Sequence, residues 1–191
     1  HVEIHQRHPA PAIVYSGYHA TWPNDVLPPE SVPAMQVPGS RETAIQAMVQ
    51  GSFGPCTSSA FTIERACFER IGGFDAKLRS FQDWDLWLRS AMVQDHCFGA
   101  VDRPLVNFLQ HFDERTSVGL KGRMRGLDQI RAKWGDQFDL SIMERRVRRQ
   151  QLILSAYALA LQRRRIAAAA QVVRLATSEF SIEALREAAK I

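Results

Sequence analysis

Asp83 is the side chain whose type and position most directly indicate chemistry in this 191-residue chain. A carboxylate at a helix N-terminus, at the mouth of a cleft, is suited to take a proton from an attacking hydroxyl group. Such general-base catalysis contributes on the order of 10²–10⁴ in rate. A structural interpretation is also open, because Ser80 lies three residues before Asp83. This is the spacing of a capping box, and the helix dipole favours an acid at that position.

The residues that follow Asp83 predict a helix that would position it. Four apolar residues recur at helical spacing: Trp84, Trp87, Leu88 and Ala91. This pattern indicates a helix from about 81 to 93, in which Asp85 is expected to pair with Arg89 four residues later. A preceding helix over 64–70 is expected to end at Gly72 and Gly73, because glycine readily terminates helices.

The rest of the first 118 residues predicts further strands, one helix and a long loop. A buried strand over 12–16 is expected to end at Gly17, and a proline-rich segment, 21–40, has no period and predicts a surface loop. A helix over 41–50 and a strand over 59–63 follow. Two more strands, 98–101 and 105–110, are expected to be joined by a turn at 102–104.

The character of the chain changes after His111. Residues 120–190 contain no proline and are rich in Ala, Arg, Leu and Gln, which predicts three or four helices. One long helix carries a stripe of residues on one side: Met143, Val147, Gln150, Leu154, Tyr157 and Leu161. Further helices are expected around 166–176 and from Ser181. The chain therefore divides into 1–118 and a helical C-terminal region, 119–191.

The segment 64–90, ERACFERIGGFDAKLRSFQDWDLWLRS, resembles the pattern of glycosyltransferase family 2. In that pattern a helix, a GGF(D/E) turn and an (E)D-W-(D)-L-x-x-R helix follow one another, here as 71–75 and 82–89. The flanks are similar too, since 10–17 resembles the strand after the metal-binding loop and 104–111 resembles the closing strand with its histidine. The resemblance covers about 1–118. It implies an α/β fold, the C-terminal half of a GT-A (Rossmann-like) domain, followed by an α-helical appendage.

The resemblance also implies an activity and its site. The family transfers a sugar with inversion from a nucleotide-sugar donor to a hydroxyl acceptor, here a glycan or a lipid-linked acceptor of polysaccharide biosynthesis. Asp83 would be the general base. Five residues would contact substrate: Ser58, Gly72, Gly73, Gln82 and Trp84. His111 would hold a divalent metal, Mn²⁺ or Mg²⁺, and histidine suits Mn²⁺ better.

Other interpretations of these residues stay open. Gln82 stands where the family usually has Glu, so a neighbouring charge is absent. The letters D-x-D at 83–85 lie within the predicted helix and are not interpreted as the metal motif. Trp84 and Trp87 are expected in the core, with stacking on an acceptor sugar as the alternative. His111 could equally be a surface or hydrogen-bonded histidine.

Composition limits the partners. The net charge of +4 permits an anionic partner without requiring one. The arginine clusters at 145–149 and 163–165 have no aromatic residues interleaved with their arginines, which favours a solvated helix face over a nucleic-acid-binding surface. Peripheral contact with a membrane surface is left open. Three cysteines without a CxxC pair indicate a reducing, cytoplasmic setting. The sequence contains no run of 18 or more apolar residues, so no membrane-spanning helix is predicted.

The first residue is His1, and the nucleotide-binding half is expected upstream. The chain alone is therefore not expected to turn over a nucleotide sugar. Two other functions are weighed: a non-catalytic descendant that uses the same fold as a binding module, and a helical interaction protein whose C-terminal region binds a partner. A missing upstream D-x-D would favour the first, and tight binding by the helical region alone would favour the second.

Overall fold

A computed structural model describes residues 1–7, 10–21, 29–54, 58–109 and 120–161, together with Ala170 and Val173. Within these ranges the helices and strands are, in chain order, α1 (Val2–His5), β1 (Ile13–Thr21), β2 (Glu30–Val32), α2 (Arg41–Val49), β3 (Phe61–Ile63), α3 (Arg65–Arg70), α4 (Gln82–Val93), β4 (Phe98–Leu109), α5 (Leu120–Trp134) and α6 (Ser141–Leu161). A 3₁₀ turn, Ser58–Ala60, precedes β3.

The four described strands form one mixed sheet with β1 at its centre. β1 pairs antiparallel with β2 and β3, and parallel with β4 along the whole of its length. β2 and β3 therefore share the edge of β1 opposite to β4. The first four residues of β1, Ile13–Ser16, are fully buried, as expected for a strand covered on both faces. The fold is thus α/β, as the sequence predicts.

Gly17 does not end the first strand, contrary to the prediction. β1 continues to Thr21, and Gly17 lies where the register with β4 shifts. A Cβ atom at Gly17 would overlap the carbonyl oxygen of Val32 and crowd Ala34. The glycine therefore serves close approach of a neighbouring backbone rather than termination.

The predicted turn at 102–104 is also wrong, because 98–109 is one continuous strand. Ser16 lies opposite Val101 and Gly17 lies opposite Pro104, so Asp102 and Arg103 are the additional residues of a bulge in β4. A bulge tolerates proline, which lacks the N–H that a regular ladder needs.

The predicted proline-rich loop, 21–40, contains regular structure at its start and in its middle. Thr21 belongs to β1, and Glu30–Val32 form β2. Residues 33–38 form no helix or strand, as expected, and 22–28 lie outside the described residues.

The helices before and after the GGF turn lie where the sequence predicts, and the glycine stop is confirmed. Gly72 and Gly73 have φ angles of +77° and +68°, a left-handed conformation that favours glycine. The predicted capping box of α4 is wrong. Phe81 occupies the N-cap position with a φ of 64°, and no side chain caps the helix.

The two described C-terminal helices contribute to the same hydrophobic core as the sheet. The shared cluster includes Ile13 of β1, Trp87 of α4, Leu127 and Ile130 of α5, and Met143 of α6. The division of the chain at 118/119 stays a prediction. Of the helix expected around 166–176 the structure describes Ala170 and Val173, both helical, and the helix expected from Ser181 lies outside the described residues. Along the predicted stripe of α6, Met143 and Val147 are buried whereas Gln150 is exposed. None of the described helices is long and apolar enough to cross a membrane.

A buried carboxylate, Asp85, connects α4 to the GGF turn and to α5. It has no exposed surface. Its Oδ2 accepts from Arg89 Nε at 2.9 Å, which confirms the predicted pair, and its Oδ1 accepts from Trp134 Nε1 at 2.9 Å. Lys133 Nζ lies 2.8 Å from Oδ1 and also contacts Asp75. The hydrogen bond that Lys133 donates to Asp75 lowers the pKa of Asp75 below its ordinary value.

Replacing Asp85 should destabilise the protein strongly. Asp85→Ala leaves Arg89 and Lys133 without their buried anion, and removing one partner of a buried pair costs about 3–5 kcal/mol. Urea unfolding followed by tryptophan fluorescence measures the loss. The control is Asp95→Ala, which removes an exposed partner of Arg41 and should cost less than about 1 kcal/mol. Equal unfolding free energies for the two variants would contradict the proposed importance of Asp85.

Candidate functional site

A cleft of about 730 Å³ lies beside the N-terminal turn of α4. Segments 51–54 and 79–84, together with residues of α5 and α6, form most of its wall. Four residues that the sequence places in the site line this cleft: Ser58, Gln82, Asp83 and Trp84. Gly72 and Gly73 do not line it, and His111 lies outside the described residues.

The carboxylate of Asp83 is held in the cleft by donors from two segments. Its Oδ1 accepts from the backbone N–H of Trp84 at 2.8 Å, and its Oδ2 accepts from the hydroxyl of Ser58 at 3.0 Å. Asp83 is partly exposed and lies in the first turn of α4, where the helix dipole favours negative charge. No cation of the described residues lies within 4 Å of it. The carboxylate is therefore oriented without being neutralised by an ion pair.

The neighbours of Asp83 have structural roles. Gln82 Nε2 donates to the carbonyl oxygen of Leu78 at 3.0 Å. Trp84 is 6% exposed and its Nε1 donates to the carbonyl oxygen of Met48 at 3.2 Å. Trp87 is also buried and packs edge-on against Phe61, with ring centroids 5.6 Å apart. The expectation that both tryptophans belong to the core is confirmed. Trp84 can contact a substrate only with the edge that reaches the cleft wall.

The GGF turn orients α4 rather than forming part of this cleft. Arg89 donates through Nη1 to the carbonyl oxygen of Ile71 at 2.6 Å and through Nη2 to that of Gly73 at 2.7 Å. A Cβ atom at Gly73 would meet the ring of Phe68 at 3.0 Å. The turn thus needs glycine for its own geometry, and the predicted contact of Gly72 and Gly73 with substrate stays a prediction.

Ser80, Phe81 and Gly126 shape the cleft in ways that the local sequence pattern does not indicate. The left-handed backbone of Phe81 is a conformation that costs a non-glycine residue about 1–3 kcal/mol. Ser80 is buried, and its hydroxyl has no hydrogen-bond partner among the described residues. A Cβ atom at Gly126 of α5 would overlap that hydroxyl. An isolated glycine inside a helical pattern is the only signal of this contact in the sequence.

Three arginines, Arg79, Arg123 and Arg146, line the same cleft. The guanidinium of Arg123 lies 4.9 Å from the ring centroid of Phe81, and burial lowers the pKa of Arg123 although the charge of Asp83 opposes this effect. Arg146 belongs to the cluster interpreted as a solvated helix face. It is exposed, as expected, but it also forms part of the cleft wall, a role that sequence reasoning missed.

A second cavity, about 520 Å³, lies at the connection between α5 and α6. Its charged residues include Arg131 and Glu144, which form an ion pair. The hydrogen bond that Arg131 donates to the Glu144 carboxylate raises the pKa of Arg131. Asp136 and Asp139 also line this cavity, so its lining has an excess of negative charge, whereas the lining of the cleft at Asp83 has an excess of positive charge.

The predicted metal site is not formed by the part of the chain that the structure describes. No three His, Cys, Asp or Glu side chains converge there in a way that could hold a metal ion. The predicted ligand, His111, lies among residues outside that part. The metal requirement therefore stays a prediction from the family resemblance, and we derive no catalytic step from it.

Comparison with known proteins gives no relative: no family model matches the chain, and no curated protein and no solved structure matches it with statistical significance. The resemblance to glycosyltransferase family 2 thus rests on the motifs between 10 and 111. Function must be argued from the cleft itself.

Gly126→Ala should destabilise the protein, although alanine is the better helix former by about 1 kcal/mol. The added methyl group would overlap Ser80 and push α5 away from the cleft. Thermal unfolding of Gly126→Ala, Ser80→Gly and the double variant measures the coupling. Because Ser80→Gly removes the clashing atoms, the double variant should recover part of the loss. Gly39→Ala is the control, since nothing lies within 4 Å of the added atom. Additive effects would contradict the contact.

Proposed function

We propose that the chain is part of an inverting glycosyltransferase that transfers a sugar from a nucleotide-sugar donor to a hydroxyl acceptor, with Asp83 as the general base. The domain would be of the GT-A type. One observation carries the proposal: Asp83 presents an oriented carboxylate, free of an ion pair among the described residues, in a cleft of about 730 Å³. Small-molecule sites commonly have volumes of about 300–1,000 Å³.

The hydrogen bonds to Asp83 support a role in proton transfer. Each oxygen receives one hydrogen bond, so further lone pairs stay available to an acceptor hydroxyl. The Ser58 hydroxyl comes from a different segment than the Trp84 amide, and the two donors together fix the plane of the carboxylate. A base must be held within hydrogen-bond reach of the proton that it takes, which such orientation provides.

In the proposed transfer step, the carboxylate of Asp83 takes up the proton that the acceptor releases. The acceptor hydroxyl loses its proton to the carboxylate while its oxygen forms a bond to the anomeric carbon of the donor. The bond between that carbon and the diphosphate oxygen breaks, and the nucleoside diphosphate leaves with the electron pair. A divalent metal, when bound, would stabilise the charge of the leaving diphosphate.

Asp83→Asn should lower the transfer rate by on the order of 10²–10⁴ in the intact enzyme. Asparagine keeps the shape of the side chain and an oxygen that accepts from Ser58 or from the Trp84 amide, but it cannot take a proton at neutral pH. The measurement is kcat with a panel of nucleotide sugars, with a melting curve on the same variant to verify folding.

The matched control is Asp95→Asn, an exposed aspartate near the other end of α4, which should leave the rate unchanged. If kcat of Asp83→Asn falls by less than about tenfold, Asp83 is only a structural residue of the helix start and the general-base assignment is wrong.

His111→Ala tests the metal assignment. If His111 binds the metal, the variant should need more Mn²⁺ for half-maximal activity, and excess Mn²⁺ should partly restore the rate. A structural histidine would instead lower the melting temperature without changing the metal requirement. A metal titration beside a melting curve separates the two results, and an unchanged half-saturating Mn²⁺ concentration would remove His111 from the site.

A further inference from the structure

The charges that line the cleft are unbalanced. Among its described residues, Arg79, Arg123 and Arg146 carry positive charge, and Asp83 is the one carboxylate, so that the lining has a net charge of two positive units. No described carboxylate lies within 4 Å of any of the three arginines. Four other arginines, Arg41, Arg65, Arg89 and Arg131, do have such partners. Three cations without an ion-pair partner among the described residues therefore line the cleft, beside a single described carboxylate.

Arg123 is the least compensated of the three. Its Nε is covered from solvent and has no hydrogen-bond partner among the described residues, and its Nη2 reaches Gln150 Oε1 only at 3.5 Å. The ring of Phe81 holds the guanidinium in place. A buried donor without an acceptor costs about 1–3 kcal/mol, and more when it is charged. An oxyanion bound in the cleft through the Nη groups would give this guanidinium a charged acceptor.

Two further polar atoms in the cleft wall also lack partners among the described residues. The Ser80 hydroxyl and the Trp87 indole N–H belong to residues that are 6% and 4% exposed. Both are donors, as is the guanidinium of Arg123. These two atoms are covered from solvent behind the cleft surface, so the arginine side chains are the donors that a ligand in the cleft would contact.

We propose that Arg123 and Arg146 bind a phosphate monoester carried by the acceptor, while the acceptor hydroxyl lies at Asp83. A phosphate monoester has a charge of about −1.5 to −2 at pH 7, which complements the lining. The inference rests on the proposed function and names its acceptor class. Inversion places the leaving diphosphate on the side of the anomeric carbon opposite to the attacking hydroxyl. Cations near Asp83 therefore face the acceptor rather than the donor.

Calorimetric titration of the 191-residue chain tests the subsite without requiring activity. Glucose 6-phosphate should bind and glucose should not, and binding should weaken with added salt. Arg123→Gln should weaken glucose 6-phosphate binding by at least about tenfold, because hydrogen bonds to charged groups contribute about 1.5–3 kcal/mol. Geranyl phosphate, titrated in parallel, distinguishes a lipid phosphate from a sugar phosphate, and Arg123→Gln should weaken whichever of them binds.

The chain offers a matched control for each arginine. Arg125 lies on α5 and Arg145 on α6, both are exposed, and neither lines the cleft. Arg125→Gln and Arg145→Gln should leave binding unchanged. If Arg123→Gln lowers the melting temperature, Arg146→Gln decides the test, because Arg146 is exposed and its replacement should weaken binding without affecting folding.

Three results would overturn the inference: neither glucose 6-phosphate nor geranyl phosphate binding more tightly than glucose, equal affinities for Arg146→Gln and Arg145→Gln, or inorganic pyrophosphate binding more tightly than both phosphate esters. The last result would place a diphosphate at the arginines. If these phosphate-binding tests fail, the proposed role of Asp83 still stands. If phosphate binds as expected but Asp83→Asn leaves kcat unchanged, only the transferase proposal is rejected.

Discussion

The buried carboxylate of Asp85 is the interaction on which the site depends. A charge without exposed surface is stable only when it is paired, and here Arg89, Lys133 and Trp134 supply the partners. Through Arg89 it ties α4 to the GGF turn, and through Lys133 and Trp134 it ties α4 to α5. The first turn of α4 carries Asp83, and α5 carries Arg123. One buried anion thus sets the relative position of the candidate base and the cleft wall opposite.

Some buried polar groups around the cleft have hydrogen-bond partners and others have none among the described residues. Asp85 accepts hydrogen bonds from its partners, whereas the Ser80 hydroxyl and Arg123 Nε have no hydrogen-bond partner among the described residues and Phe81 has a left-handed backbone. Strained backbone often occurs at functional sites, and a buried polar group without a partner calls for an explanation. The cleft holds the oriented carboxylate of Asp83, and we therefore propose it as the site rather than the cavity at the α5–α6 connection.

Local patterns in the sequence correctly predicted the features that depend only on residues close together in the chain. The helical spacing of the tryptophans, the glycines after α3 and the Asp85–Arg89 pair are all contained within a few residues, and the structure has them as predicted. The errors come from contacts between distant segments. Ser80 fails to cap α4 because α5 packs on it at Gly126, and β1 continues through Gly17 because the chain near Val32 needs its space. Arg123 could not be predicted, since only the packing of α5 brings it to Asp83.

The anomeric configuration of the product tests the central claim, base-assisted inversion at Asp83, most directly. Asp83 is the one carboxylate among the described residues of the cleft, and we assign it the role of base rather than of nucleophile. Proton coupling constants of the product formed by the intact enzyme from an α-linked nucleotide sugar should show a β-linkage. An α-linked product would contradict the account, because retention requires a different arrangement of groups around the anomeric carbon.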